Sequence, residues 1–163
     1  MGKKVILVRH GKYNEDEEAN LSNEGIGDMK RLALILFPYI VDKNVIFIAS
    51  MANRGIQSAE VLQEIWEKNN VFLPFEKKYE VWSGTDSRRE SSRLLEKEKK
   101  TVSVHDFNWL SSFIKEDKHE VIVVVTHLEF VEYFPSRLGF EGQEISKGRA
   151  MILDMENMTR SIV

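Results

Sequence analysis

Three almost unbroken apolar runs constrain this 163-residue chain more than any other feature: "KVILV" (4–8), "VIFIA" (45–49) and "VIVVV" (121–125). Their β-branched residues suit pleated strands. A strand with apolar residues at successive positions has no face to offer water, so it belongs in a sheet covered on both sides, as mostly parallel sheets are. "VFLPF" (71–75) and "AMILDM" (150–155) read as further strands, and "TRSIV" as a last strand after a turn at "MENMT". The segments between carry helical spacing. "MKRLALILFPYI" follows "LSNEG"; "RGIQSAEVLQEIWEKN" sets Ile56, Ala59, Leu62 and Trp66 on one face; "DFNWLSSFIKE" does the same for Phe107, Leu110 and Ile114. Ser103 with Asp106, and Ser87 with Glu90, have the spacing of helix N-caps. Strands alternating with helices predict an α/β fold, a three-layer α/β/α sandwich with a mostly parallel central sheet, as one domain over residues 1–163.

Composition removes several function classes. The net charge is −3, so the chain lacks the basic excess that favours nucleic acid or an anionic membrane surface, and neither partner is expected. There are no cysteines, which excludes a disulfide scaffold, thiolate zinc sites and a cysteine nucleophile. No apolar run approaches the ~20 residues of a membrane span. The start "MGKK" leads directly into a strand-like run, and a cytoplasmic location is expected. "SRRESSRLLEKEKK" (87–100) reads as an exposed helix, since its basic residues alternate with glutamates and no aromatics interleave. The oligomeric state is not legible.

Polar residues follow the apolar runs. Ligands in open α/β sheets gather at the carboxyl ends of strands. There the chain places Arg9 and His10 after the first run, Ser50 and Arg54 after the second, and Thr126 and His127 after "VIVVV". Any one of these has an ordinary reading, a surface salt bridge for an arginine or a hydrogen-bonded loop residue for a histidine, which is how His105 and His119 are read. Coincidence at three strand ends counts against the ordinary reading, and two histidines flanked by arginines would repel a cation. No His-x-His pair or His-Glu-x-x-His helix is present, so neither a metal nor a cofactor is expected.

Here the sequence resembles the histidine phosphatase superfamily, which includes phosphoglycerate mutases, acid phosphatases and small phosphohistidine phosphatases. "LVRHG" is similar to its signature, "LSNEGIGDMKRLA" to its L-T-x-x-G helix entry, "IFIASMANRGIQSAEVL" to its S-S-P-L-x-R-A-x-Q-T-A-E-x-L block, and "VIVVVTHLEF" to the strand ending in its second histidine. The resemblance implies the phosphoglycerate mutase-like fold, with His10 as the nucleophile that accepts a phosphoryl group. Such an imidazole must present a bare ring nitrogen, and neighbouring cations disfavour its charged form. Arg9 and Arg54 match the family arginines, whose planar paired donors suit phosphate oxygens. His127 matches the second histidine, donating from the opposite side, and the backbone N–H of Leu128 adds a donor. The implied activity is a metal-independent phosphatase acting on a phosphorylated protein side chain, such as phosphohistidine, or on a small phosphate monoester. A mutase-type phosphotransferase and a weakly active phosphate-binding module are the alternatives.

The departures are specific. Met51 and Ala52 stand where Pro-Leu is usual, Gly55 where alanine is, and Leu128–Glu129 replaces Gly-Gly or Asn-Pro. Many relatives protonate the leaving oxygen with a glutamate in an L-x-E-x-x-x-G segment; "KKYEVWSGTD" keeps only Glu80 and Gly84, so Glu80 is the first candidate acid, ahead of Glu76 and Glu129. Trp82 is a candidate pocket wall. A chain this short has little room for capping insertions, and an open site is expected. The acidic run "NEDEEAN" (14–20) is read either as a solvated loop or as a device disfavouring polyanionic substrates.

Overall fold

A computed structural model describes residues 2–15, 19–83 and 102–163. The Ser87–Glu90 cap, the charged run 87–100, Gly84, and Asp16, Glu17 and Glu18 of the acidic run lie outside the described residues. Strands β1 (Lys4–Arg9), β2 (Val45–Ala49), β3 (Glu76–Lys77), β4 (Val121–Thr126), β5 (Ala150–Asp154) and β6 (Thr159–Ile162) form one sheet in the order β3-β2-β4-β1-β5-β6. The first four run parallel; β5 and β6 are antiparallel additions at one edge. Helices α1 (Asn23–Ile40), α2 (Asn53–Lys68), α3 (Val104–Glu116) and α4 (Leu128–Tyr133) cover it.

The apolar runs are buried on both faces, and alternate residues serve different layers. Ile6 and Val8 of β1, with Val121, Val123 and Val125 of β4, pack against α1 and α2 through Leu32, Leu36, Leu62 and Trp66. Val5 and Leu7, with Ile122 and Val124, pack against α3 and α4 through Leu110, Ile114 and Phe130. Each such side chain contributes about 1.5–3 kcal/mol on burial, which is why the central strands tolerate no polar residue until they end. Phe134 and Phe140 join the second layer, whereas Tyr133 is exposed.

One expected strand is corrected. Residues 71–75 are not a strand; pairing begins only at Glu76–Lys77, opposite Ile48 and Ala49. Pro74 has no N–H to give a ladder, and Phe72 is 71% exposed rather than packed. The N-cap of α3 forms as read: the Ser103 side chain accepts from Asp106 N and the Asp106 carboxylate accepts from Ser103 N. Among the described residues no helix is long and apolar enough to cross a membrane.

The N-terminus of α1 is pressed onto the loop after β1. Ser22 N donates to the Lys12 carbonyl at 3.0 Å, and a Cβ on Gly25 would lie 2.0 Å from that same oxygen. Gly27, half a turn on, has open space around it. Gly25→Ala is therefore expected to destabilise the protein by about 1–3 kcal/mol, while Gly27→Ala stabilises it by about 0.5–1 kcal/mol. Urea unfolding midpoints of the two variants check this, and equal effects would contradict the close approach.

Candidate active site

Register and alternation bring the two histidines together. Val8 pairs with Val125 and Arg9 with Thr126 in the parallel β1–β4 ladder, so His10 and His127 follow at the same level. The ladder continues one step further, with His10 N donating to the Thr126 carbonyl at 3.1 Å. Both histidines carry on the parity of the residues that face α1 and α2. Their rings lie 5.1 Å apart between centroids, and both are fully buried.

Arg54, in the first turn of α2 and also fully buried, sits between them. Its Nε donates to His10 Nε2 at 3.2 Å, and one terminal nitrogen, Nη2, lies 3.2 Å from His127 Nδ1 and 3.0 Å from the Ser83 carbonyl, to which it donates. A guanidinium has donors only, so both imidazole nitrogens facing it must accept. The ring hydrogen of His10 is then on Nδ1, where the Gly11 carbonyl accepts it at 3.0 Å. That of His127 is on Nε2, directed at Ser50 Oγ 2.7 Å away. Ser50 Oγ also accepts from Ala52 N at 3.1 Å, which fixes the serine below the ring. The result is an unprotonated Nε2 on His10 that accepts from a buried guanidinium.

Several members of this arrangement escaped the sequence reading. Ser58, one turn beyond Arg54, accepts from Gly11 N at 2.9 Å and donates to the Arg54 carbonyl at 2.6 Å, tying the loop after His10 to α2. A polar residue on an otherwise apolar helix face was the available signal. Gly55 is where α2 closes on Ser50: a Cβ there would lie 2.9 Å from Ser50 Cβ, so this departure from alanine leaves space for the serine. Tyr13 had no signal at all. Its half-buried ring is 5.5 Å from the His10 ring, with Arg54 Cζ 5.2 Å and Lys147 Nζ 4.7 Å from its centroid. The expected open site is thus walled on one side by an aromatic ring over fully buried groups.

The remaining candidates are placed as follows. Arg9 has the opposite parity to His10; its guanidinium donates to the Ile145 carbonyl at 2.7 Å and lines an adjoining open cleft of about 630 Å³. Leu128 begins α4 directly after His127, so its N–H has no acceptor within the helix. Glu80 lies in the 3-10 turn Tyr79–Val81, which is held at the strand ends by Thr126 Oγ1 donating to the Val81 carbonyl at 2.6 Å. None of the described residues hydrogen-bonds the Glu80 carboxylate. Glu76 is exposed and paired with Lys78 at 3.1 Å. Glu129 does reach the cluster's surroundings: it accepts from Ser83 Oγ at 2.8 Å, and the carbonyl of that same serine holds Arg54. Trp82 is 2% exposed and meets Tyr79 edge-on, which makes it core rather than pocket wall. Among the described residues no three His, Asp or Glu side chains gather as a metal site.

No family model and no curated protein matches the chain. Solved structures do. The protein histidine phosphatase SixA, complexed with tungstate, superposes with a TM-score of 0.66 at 17% identity, over 98% of this chain and 94% of that one. The mycobacterial glucosyl-3-phosphoglycerate phosphatase complexed with VO3 gives 0.62 at 13% identity, over 98% and 97%. Mycobacterial hydrolase 1 gives 0.67 at 12% identity, over 100% and 97%. The chain has the phosphoglycerate mutase-like fold of these structures.

Nitrogen-15 NMR of the imidazoles tests the hydrogen-bond pattern. His10 is expected to carry its hydrogen on Nδ1 and His127 on Nε2. The reversed tautomer at either ring would contradict the bridging role of Arg54.

Proposed function

We propose that this chain is a phosphatase that carries the phosphoryl group on His10 as a covalent phosphohistidine, acting on a phosphorylated protein side chain, such as phosphohistidine, or on a small phosphate monoester. One observation carries the reading: a buried guanidinium bridges two imidazoles and leaves the Nε2 lone pair of His10 as the nearest nucleophile. Solved structures of the same fold support it, since two of them are named as phosphatases and are complexed with tungstate or VO3, oxyanions that resemble phosphate.

When a phosphoryl group enters, the Arg54 Nε–H exchanges His10 Nε2 for a phosphate oxygen, and the freed lone pair attacks phosphorus. The N–P bond forms as the P–O bond, or the P–N bond of a phosphohistidine substrate, breaks in line, and the leaving atom takes a proton. Water then attacks phosphorus and gives up a proton to the group that protonated the leaving atom, the N–P bond breaks, and inorganic phosphate leaves with His10 and the donor restored. Arg54 and the Leu128 N–H supply fixed donors to the non-bridging oxygens, His127 adds one once its Nδ1, released by Arg54, takes a proton, and Arg9 approaches from the cleft side. Phosphoryl transfer asks mainly for such positioning and charge stabilisation. Ser50 keeps the His127 ring oriented by accepting its Nε2 hydrogen.

The proton donor is the least constrained part. The sequence pattern favours Glu80, whereas hydrogen bonding favours Glu129, which shares Ser83 with Arg54. A donor matters most for an alkoxide, which leaves poorly, and least for an activated aryl oxide or an imidazole.

Hydrolysis of an activated aryl phosphate in the presence of a chelator is the direct test. His10→Ala is expected to lower turnover about a thousandfold or more, and the parent enzyme to yield an acid-labile, alkali-stable phosphoenzyme. Turnover surviving in His10→Ala removes His10 as nucleophile; no turnover in the parent favours a phosphate-binding module instead. For the donor, Glu129→Gln should slow an alkyl phosphate about 10²–10⁴-fold and an activated aryl phosphate far less. The same comparison with Glu80→Gln assigns the role, and equal losses on both substrates would rule out an acid function for the residue tested.

A further inference from the structure

The phosphatase chemistry leaves Tyr13 without a role, although its ring lies against the groups that perform it. We infer that Tyr13 is a positioning residue, whose ring face holds the Arg54 guanidinium while that group passes from His10 to the oxygens of the phosphoryl group. This rests on the phosphatase reading for the identity of the anion and adds to it a residue that the transfer needs.

The ring is placed by main chain. Tyr13 forms an isolated antiparallel bridge with Leu21, flanked by Ser22 N donating to the Lys12 carbonyl at 3.0 Å and by Asn14 N donating to the Asn20 carbonyl at 2.8 Å. Asn20 and Leu21 are in turn fastened to α2, the helix that carries Arg54. Gln57 Oε1 accepts from Leu21 N at 2.7 Å, and Gln57 Nε2 donates to Asn20 Oδ1 at 2.6 Å. Gln57 lies just short of one turn beyond Arg54, so the ring and the guanidinium are held from the same rigid element.

Arg54 Cζ lies over the Tyr13 ring, 5.2 Å from its centroid, and Lys147 Nζ lies over it at 4.7 Å. The His10 ring is 5.5 Å away and tilted by 59°. An aromatic face carries the negative part of the ring quadrupole and attracts cations, most strongly where water does not compete, and Arg54 is fully buried. Among the described residues neither apolar layer includes Tyr13, so its ring serves the cations rather than the core. During transfer the Arg54 Nε–H leaves His10 Nε2, and its other donor leaves His127 Nδ1. Hydrogen bonds weaken steeply as their angle opens, whereas attraction to a broad ring face persists as the guanidinium slides across it. The ring therefore holds Arg54 at the moment its imidazole partners are exchanged for oxygens.

Tungstate is an oxyanion that is not hydrolysed, so its calorimetric affinity reports the placement of Arg54 whether or not the protein turns over phosphate esters. The parent protein would be compared with Tyr13→Phe, Tyr13→Leu and proteins carrying mono-, di- and trifluorinated phenylalanine at position 13, which keep the ring's shape while withdrawing electrons from its face. Tyr13→Phe is expected to stay within about twofold of the parent and Tyr13→Leu to lose about fivefold or more, with each added fluorine lowering the affinity further from the Tyr13→Phe value. Should Tyr13→Leu fail to fold, the fluorinated series alone decides. Equal losses in Tyr13→Phe and Tyr13→Leu, affinities indifferent to fluorination, or no tungstate binding by the parent overturns the role given to Tyr13. Aryl phosphate turnover with a flat series would leave the phosphatase reading standing alone; a graded series without turnover would do the reverse.

Discussion

The arrangement at the strand ends depends on a guanidinium that water does not reach. Burying an arginine costs several kcal/mol unless its donors are satisfied, and removing one partner of such a group leaves an uncompensated charge. Arg54 meets part of that demand with both imidazoles and a main-chain carbonyl. Its requirement propagates outward. Ser83 must present its carbonyl, so the 79–83 segment is latched to Thr126; α2 must start close to Ser50, so Gly55 has no side chain; the loop after His10 must stay down, so Ser58 holds Gly11. Small polar residues around one cation thus translate a local electrostatic need into the positions of three loops.

A parallel sheet is a suitable base because its central strands have no alternative. With apolar residues on both faces, a one-residue slip of β1 against β4 would turn each strand's two buried sets onto the wrong layers and leave mismatched packing throughout. The register that satisfies the core also levels His10 with His127. Rigidity at the site is therefore borrowed from hydrophobic burial elsewhere, and the imidazoles are held by main-chain geometry as much as by their own hydrogen bonds. Loops extend from this base at Tyr13, 79–83 and 145–149. They are the natural place for substrate selectivity to reside.

Much was legible in the chain itself. Continuous apolar runs announced doubly covered strands, and the spacing of Ile56, Ala59, Leu62 and Trp66 announced the buried face of α2, because both patterns are local consequences of backbone period. Polar residues ending those runs located His10, Arg54 and His127 at one edge of the sheet. Pro74 was visible too, and its missing N–H explains why 71–75 does not pair. What period and composition do not carry is direction beyond the strand. Arg9 and His10 are neighbours in sequence, yet side-chain alternation sends one toward Ile145 and the other toward Arg54.

The sequence alone therefore determined the fold class, the sheet edge where chemistry gathers and the residue types found there, since these follow from local propensity, hydrophobic period and strand order. Tertiary structure decided which nitrogen of each imidazole faces Arg54, that Ser58, Ser83 and Tyr13 belong to the same neighbourhood, and that Lys147 is carried across the molecule to the nucleophile's side. Those facts arise from contacts between residues far apart in the chain, whose distances depend on how the layers pack, and no one-dimensional pattern encodes them.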